Sequence, residues 1–370
     1  MLHLEKRSNI ESSKAFQRLS EKTQVFFPLS GREQVVKNRM SHSYEVATSA
    51  EMIAEDLLIQ VGKMVDYKKS VTNVSLLHDI GHPPFGHAGA GLIDHTIRNM
   101  GLKEGFDDNN NNLAVIEKNG LFIEDYDYAS LIKYPEKLYP SQKEKFLPIL
   151  EKSIQEDIRH FNKTLNIDEQ PKRTVACNIM DEADRNSYIA SDYADFFTLQ
   201  ENFSTFEEFF DKLFSIENLF SSHIRDFNER IYQAYKQGDK SKIKSTFNSI
   251  KNAFNQNHIL LGDLSLGYKS TELYNYRELL GKLEFDCFIK SDYFKSNRQK
   301  ELNLLQSFIN KVINEGFYPS KTYSKMINSA QTKEQKLIAI RDMIAEVSDW
   351  YVINTMKEDK QIPTLKVSYA

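Results

Sequence analysis

The chain has 370 residues, 40 % of them apolar and 27 % charged, with a formal net charge of −4. That is enough apolar matter for one large domain or two ordinary ones, and near-neutrality excludes a global basic field that would draw the protein onto nucleic acid or an anionic membrane. Cys177 and Cys287, the two cysteines, are over a hundred residues apart and form neither a zinc pair nor a disulfide framework, which fits a reducing cytoplasm.

In chain order, the N-terminus (MLHLEKRSNIESSKAF) carries charges where a signal peptide needs an apolar stretch. Thr23–Phe27 is the best short strand candidate, followed by a break at Pro28–Gly31. Val46, Ala50, Ile53, Ala54, Leu57 and Leu58 recur at three- and four-residue steps, as on a helix with one buried face. Gly and Pro punctuate Gly81–Gly91, Gly101–Gly105 and Tyr134–Pro140. The run Asp107–Asn112 is low in complexity but too short for a disordered tract. Helical periodicity returns over 145–161, 174–200, 206–236, 241–255, 299–314 and 334–357. The Lys-rich stretch Lys236–Lys251 reads as a solvated helix face rather than a nucleic-acid surface. No window approaches the ~18 apolar residues of a membrane span. The expectation is a soluble, cytoplasmic, all-α protein of one domain, with a core over about 15–200 and helices of 201–370 added onto it.

Four residues stand out as chemistry: His42, the adjacent pair His78–Asp79, and Asp184. A divalent ion takes imidazole nitrogen and carboxylate oxygen. Helix neighbours point ~100° apart, so an adjacent His-Asp pair converges on one ion only near a helix end. The pair sits in LLHDIGHPPFGHAG, where His78, His82 and His87 fall within ten residues.

Together, KTQVFFPLSGREQVVKNRMSHSYEVA, LLHDIGHPPFGHAG, GFDDNNNNLAVI, YASLIKYP and IMDEADRNSYIASDYADF resemble successive motifs of the bacterial deoxyguanosine triphosphate triphosphohydrolase-like (dGTPase-like) family of the HD superfamily. The resemblance covers about 15–200; beyond it, GKLEFDCF and EVSDWYVINTM are only suggestive. It implies an HD-domain helical core and hydrolysis of a dNTP at the α-phosphorus to deoxynucleoside and triphosphate. His42, His78, Asp79 and Asp184 would hold one divalent ion per site, Mg, Mn or another transition metal. Arg39 would meet the phosphates, where a guanidinium fork serves better than lysine. Tyr188 would pack where a ribose 2′-hydroxyl would sit, and Gln24 and Asp192 would read the 3′-hydroxyl. His87 would be the catalytic acid, with His82 beside it as a second phosphate or proton-handling group. Relatives are commonly tetramers or hexamers, often with allosteric dNTP sites.

The chain departs from that pattern in three places. Relatives carry a glutamate three residues after the catalytic histidine, and this chain has Ala90. Alanine can neither orient His87 nor share its proton, so slow turnover is expected. An introduced Glu→Ala change and natural divergence toward a slow enzyme or a dNTP sensor both fit. Arg185 follows the metal aspartate where bacterial relatives have Asp; it would reach the triphosphate or pair with Glu182. Ala114 stands where relatives often have arginine. Another HD activity, a nuclease or phosphodiesterase, is the remaining alternative, and the Gln24–Tyr188–Asp192 set argues against it.

Overall fold

The computed structural model describes residues 2–25, 37–61, 65–198 and 206–358, and the fold over them is helical. The N-terminal half runs through α1 (Leu2–Ser12), α2 (Lys14–Gln17), α3 (Arg39–Val61), α4 (Val65–Leu77), α5 (Gly86–Asn99), α6 (Asp108–Lys118), α7 (Asp125–Ser130), α8 (Pro140–Phe161) and α9 (Val175–Thr198). α3, α4 and α9 pack on one another and form the frame. Val46, Ala50, Ile53, Ala54 and Leu57 line one face of α3 and are all fully buried, as their spacing predicts. They meet Val175, Ala176, Ile179 and Ala183 of α9 in one apolar cluster.

The C-terminal half adds α10 (Phe206–Ser215), α11 (Ser222–Lys236), α12 (Lys240–Asn255), α13 (Thr271–Leu283), a π-turn (Glu284–Ile289), α14 (Asp292–Glu315), α15 (Lys321–Ser329), α16 (Lys333–Glu346) and α17 (Asp349–Glu358). Two segments expected as single helices are each broken. A continuous 206–236 helix would be roughly 46 Å long at ~1.5 Å per residue. Instead it breaks after Ser215, and α10 and α11 fold together, with Phe210 and Phe214 against Tyr232 at 5.0 and 5.3 Å between ring centroids. The 334–357 segment turns at Val347, whose backbone is extended, and Ser348 Oγ accepts the Tyr351 N–H at 3.1 Å to start α17.

The strand expected at Thr23–Phe27 reduces to one bridge between Thr23 and Asn38, with 26–27 outside the described residues. Pro28–Gly31 also lies outside them. A small antiparallel hairpin, β1 (His258–Leu260) with β2 (Leu266–Tyr268), was not anticipated; three residues per strand are too few to show a period.

The later helices are not merely added on. Ile93 and Ile97 of α5 share a cluster with Leu305 and Phe308 of α14, Met343 of α16 and Ile353 of α17. Tyr193, Phe196 and Phe197 of α9 are embedded among aromatics of α10–α13 and the π-turn. Both cysteines are buried and free.

Candidate metal centre

The HD pair lies one residue beyond the end of α4, so its side chains leave a turn rather than a helix cylinder. That turn is clamped from outside. The carbonyls of His78, Ile80, Gly81 and His82 accept from Asn112 Nδ2 (2.6 Å), Arg18 Nη2 (2.8 Å), Asn111 Nδ2 (2.6 Å) and Lys22 Nζ. Asn112 Oδ1 accepts the Gly81 N–H at 2.6 Å, and a Cβ on Gly81 would lie 2.3 Å from the Asn112 backbone nitrogen. Asn111 and Asn112 therefore brace the HD turn, while Asn109 and Asn110 bond Asp108 and the Lys137 carbonyl instead.

Three elements, α3, the turn after α4 and α9, bring the imidazoles and carboxylates together. His42 sits in the first turn of α3 and Asp184 in the middle of α9, with His42 Nε2 2.9 Å from Asp184 Oδ1. His78 Nε2 is 3.4 Å from the same oxygen and 3.5 Å from Asp79 Oδ1. Ligand atoms of His42, His78 and Asp184 all lie within 4.8 Å of one another. Two cis ligands of one ion with ~2.0–2.3 Å bonds stand roughly 3 Å apart, so the spacing suits a single divalent cation. His78 Nδ1 meets the Ser75 carbonyl at 2.7 Å, and its Nε2 is buried with no hydrogen-bond partner among the described residues. An orphaned imidazole nitrogen facing two carboxylates is the donor a cation would use.

Electrostatics reinforce this. Burial opposes charge on Asp79, but His78, His82 and Arg39 together hold its carboxyl far below the usual range. Asp184 behaves alike, with His78 and Lys133 overcoming burial. Burial lowers His42, whereas His78 is raised because Asp79 and Asp184 outweigh burial. His82 is pushed down to about 3 by burial and by Arg39, although Asp79 and Asp108 stand 3.1 Å from its two nitrogens. Asp108 is held low by His82 and His87 against burial.

A cavity of about 570 Å³ opens over this group, lined among others by Gln24, Arg39, His78, Asp79, His82, His87, Asp184, Arg185, Tyr188 and Asp192. A larger cavity of about 990 Å³ adjoins it through Lys133 and Tyr134 but has none of the imidazoles, so the chemistry belongs to the smaller one. Arg39 is fully buried, not a surface pair: Nη1 donates to Asp79 Oδ2 at 2.7 Å and Nη2 to the Gln24 carbonyl at 3.3 Å. Gln24 is buried at the cavity, and neither amide atom has a hydrogen-bond partner among the described residues. Tyr188 lays its ring against His42, centroids 4.9 Å apart. Asp192 hydrogen-bonds Glu284 of the π-turn; burial raises Glu284 to about 7 against that hydrogen bond, and burial with the charges of Glu284 and Asp195 raises Asp192 well above its ordinary range. Arg185 borders the cavity, half-exposed, and pairs with Asp181 (3.3 Å) and Glu182 (3.5 Å).

His87 follows a strained entry. Phe85 has a left-handed φ of 60°, costly for a bulky residue. The C-terminal helices hold it there: Asp349 Oδ1 accepts its N–H at 2.8 Å, and Arg298 Nη1 donates to its carbonyl at 3.0 Å. His87 is thereby presented at the cavity mouth, Nδ1 2.9 Å from Asp108 Oδ2. Ala90 packs instead on the apolar cluster beneath α5.

The sequence reading did not assign Asp108, Lys133, Glu284 or Arg298. Lys133, buried between Asp181 (3.2 Å) and Asp184 (3.4 Å), stood in the quoted YASLIKYP, and Asp108 in GFDDNNNN. Glu284 stood in GKLEFDCF, which was only suggestive, and Arg298 of α14 lay outside every quoted motif.

Residues 39–186 match the HD domain family. The deoxyguanosinetriphosphate triphosphohydrolase-like protein of Wolinella succinogenes is 29 % identical over 197 residues, 51 % of this chain and 47 % of that protein. Its namesake in Ralstonia pickettii is 38 % identical over 112 residues (30 % and 26 %), and that of Rhodopseudomonas palustris 42 % over 104 (28 % and 23 %). The chain thus spans about half the length of the first relative and about a quarter of the others. Among the described residues, no helix is long and apolar enough to cross a membrane.

Proposed function

We propose that this chain, whose residues 39–186 match the HD domain family and whose relatives are dGTPase-like proteins, is a metal-dependent dNTP triphosphohydrolase, releasing deoxynucleoside and inorganic triphosphate. The observation that carries the reading is that one cavity joins the imidazole–carboxylate group, a fully buried arginine and a buried glutamine that has no partner among the described residues, beside Tyr188 and Asp192. His42, His78, Asp79 and Asp184 would hold one divalent ion, Mg or Mn among the candidates. When bound, that ion supplies charge neutralisation for the phosphates and a more acidic water.

The chain's own residues do the rest. Arg39 neutralises phosphate charge from a dry, fixed position, where such a cation acts strongly. Gln24 and Asp192 hold the sugar 3′-hydroxyl, and Tyr188 closes the space a 2′-hydroxyl would need. His87 gives the leaving 5′-oxygen its proton, a role imidazole suits near neutral pH. Arg185 reaches the triphosphate once it leaves Asp181 and Glu182. His82, buried and kept neutral, serves as a hydrogen-bonding group rather than an acid. The loss of a carboxylate at position 90 favours a second reading, a dNTP sensor that binds and barely turns over. As in the resemblance, the assembly is a homo-oligomer, tetramer or hexamer, with room for allosteric dNTP.

The test is to incubate the chain with each dNTP and Mn²⁺ or Mg²⁺ and resolve the products. Tripolyphosphate with deoxynucleoside is expected. Pyrophosphate with dNMP, or phosphate with dNDP, would reject cleavage at the 5′-oxygen side of the α-phosphorus. Tight dNTP binding with no product would favour the sensor.

A further inference from the structure

We propose that Asp108, the first residue of α6, orients His87 in this chain, in place of the glutamate that relatives carry on the helix of that histidine. The proposal rests on the hydrolase reading for its kinetic consequences, but its geometry stands alone. His87 Nδ1 lies 2.9 Å from Asp108 Oδ2, in hydrogen-bond range. The carboxylate is fixed, because Asp108 is buried and its other oxygen accepts the Asn109 N–H at 3.0 Å. Its backbone is fixed too: Asp107 caps α6 through the Asn110 N–H at 2.9 Å, and Tyr139 Oη holds the Asp107 N–H at 2.8 Å. The alanine at position 90 has no such reach, since its methyl group packs on the apolar cluster under α5 and carries no polar atom.

A histidine whose Nδ1–H is held by a carboxylate must present Nε2 to its substrate. In the hydrolysis, the water oxygen bonds to the α-phosphorus and the bond from that phosphorus to O5′ breaks. His87 passes its Nε2 proton to O5′, keeping Nδ1–H on Asp108. The proton shed by the water leaves to solvent, which re-protonates His87, so dNTP and water become deoxynucleoside and triphosphate. Asp108 touches neither substrate nor reacting atoms and is a positioning residue.

The first readout needs no activity. Long-range ¹H–¹⁵N spectra of the histidine-labelled full chain report the tautomer of His87, assigned by the loss of its signals in His87→Gln. The expected tautomer is Nδ1–H in the wild type, moving toward Nε2–H in Asp108→Ala. An Nε2–H tautomer in the wild type would overturn the proposal. The second readout is dGTP turnover with Mn²⁺ in Asp108→Ala and in the volume-preserving Asp108→Asn. The kcat should fall ~10²–10⁴-fold, typical of crippling an acid–base group, with KM changed less than about threefold and bound Mn²⁺ the same. In Asp108→Ala, Ala90→Glu should recover part of the kcat. An unmoved kcat, or one fewer Mn²⁺ per chain, would overturn it, the latter making His82, His87 and Asp108 a second ion site. If the wild type hydrolyses no dNTP, the hydrolase reading fails while the tautomer still decides the role of Asp108.

Discussion

His78 donates its Nδ1–H to the carbonyl of Ser75, 2.7 Å away and three residues back on the end of α4. The opposite nitrogen then carries the lone pair, and it is the one that faces Asp79 and Asp184. A site wired this way offers an imidazole lone pair to a cation. Chelation should abolish dNTP hydrolysis and Mn²⁺ should restore it. His78→Ala and His42→Ala should weaken Mn²⁺ binding at least tenfold, since even outer-shell changes cost ~10–100-fold. Titration calorimetry with Mn²⁺ reads this directly, and wild-type affinity in His78→Ala would remove that residue from the site.

The hydrogen-bonded pair Asp192–Glu284 makes stability depend on pH. Glu284 is raised by burial to about 7 from an ordinary value near 4.5, and Asp192 is raised well above its own. A carboxyl with a raised folded-state pKa contributes stability that is fully present below its unfolded value and is lost as pH rises through the folded one. The contribution of this pair should therefore fall between pH 5 and pH 8, by about 1–3 kcal/mol, while His82 and His258, lowered by burial to about 3 and about 4, raise stability as pH climbs toward 6.5. Asp195, raised to about 6, and Asp157, raised to about 7, push in the same direction as the pair. Glu284→Gln, which mimics the protonated partner, should make melting temperature fall less, or rise more, between pH 5 and pH 8 than in the wild type. A pH dependence equal to that of the wild type would mean the pair is not protonated in the fold.

Tyr188 lies between His42 and the side of the cavity where Asp192 sits, four residues further along α9. If its ring occupies the room of a 2′-hydroxyl, Tyr188→Ala should raise kcat/KM for GTP relative to dGTP by about tenfold or more, the scale of a steric pocket change. Competition of the two nucleotides in one reaction measures the ratio. An unmoved ratio would take Tyr188 out of sugar selection.

The frame of the fold was legible because α3, α8, α9, α12 and α14 each bury one face, and burial of one face is what periodicity records. The breaks at 216–221 and 347–348 were not, because apolar spacing continues across them and only tertiary contacts decide where a helix turns. At the site, Gln24, Arg39, His78, Asp79 and Asp184 line one cavity, and His42 lies behind it against Asp184. Asp108 was hidden for a different reason. It replaces a carboxylate that relatives place one helical turn after the histidine, and reach across a fold leaves no trace in spacing. Arg298 was hidden likewise, and Asp349 stood in EVSDWYVINTM with no task assigned, although both fix the Phe85 backbone that aims His87.

Ala90→Glu bears most directly on how this chain differs from its relatives. Were position 90 the only source of a carboxylate for His87, restoring glutamate should raise kcat at least roughly a hundredfold, the lower end of what acid–base groups contribute. With Asp108 already 2.9 Å from His87 Nδ1, the gain should instead stay below about tenfold. The new side chain would also put a carboxylate where a methyl group packs on the apolar cluster under α5, and burying it there without a partner is unfavourable. A lower melting temperature should accompany the change. Single-turnover rates with saturating dGTP and Mn²⁺ separate the cases, because they isolate chemistry from product release. A hundredfold rise would return the orienting role to position 90 and leave Asp108 as a brace for His82.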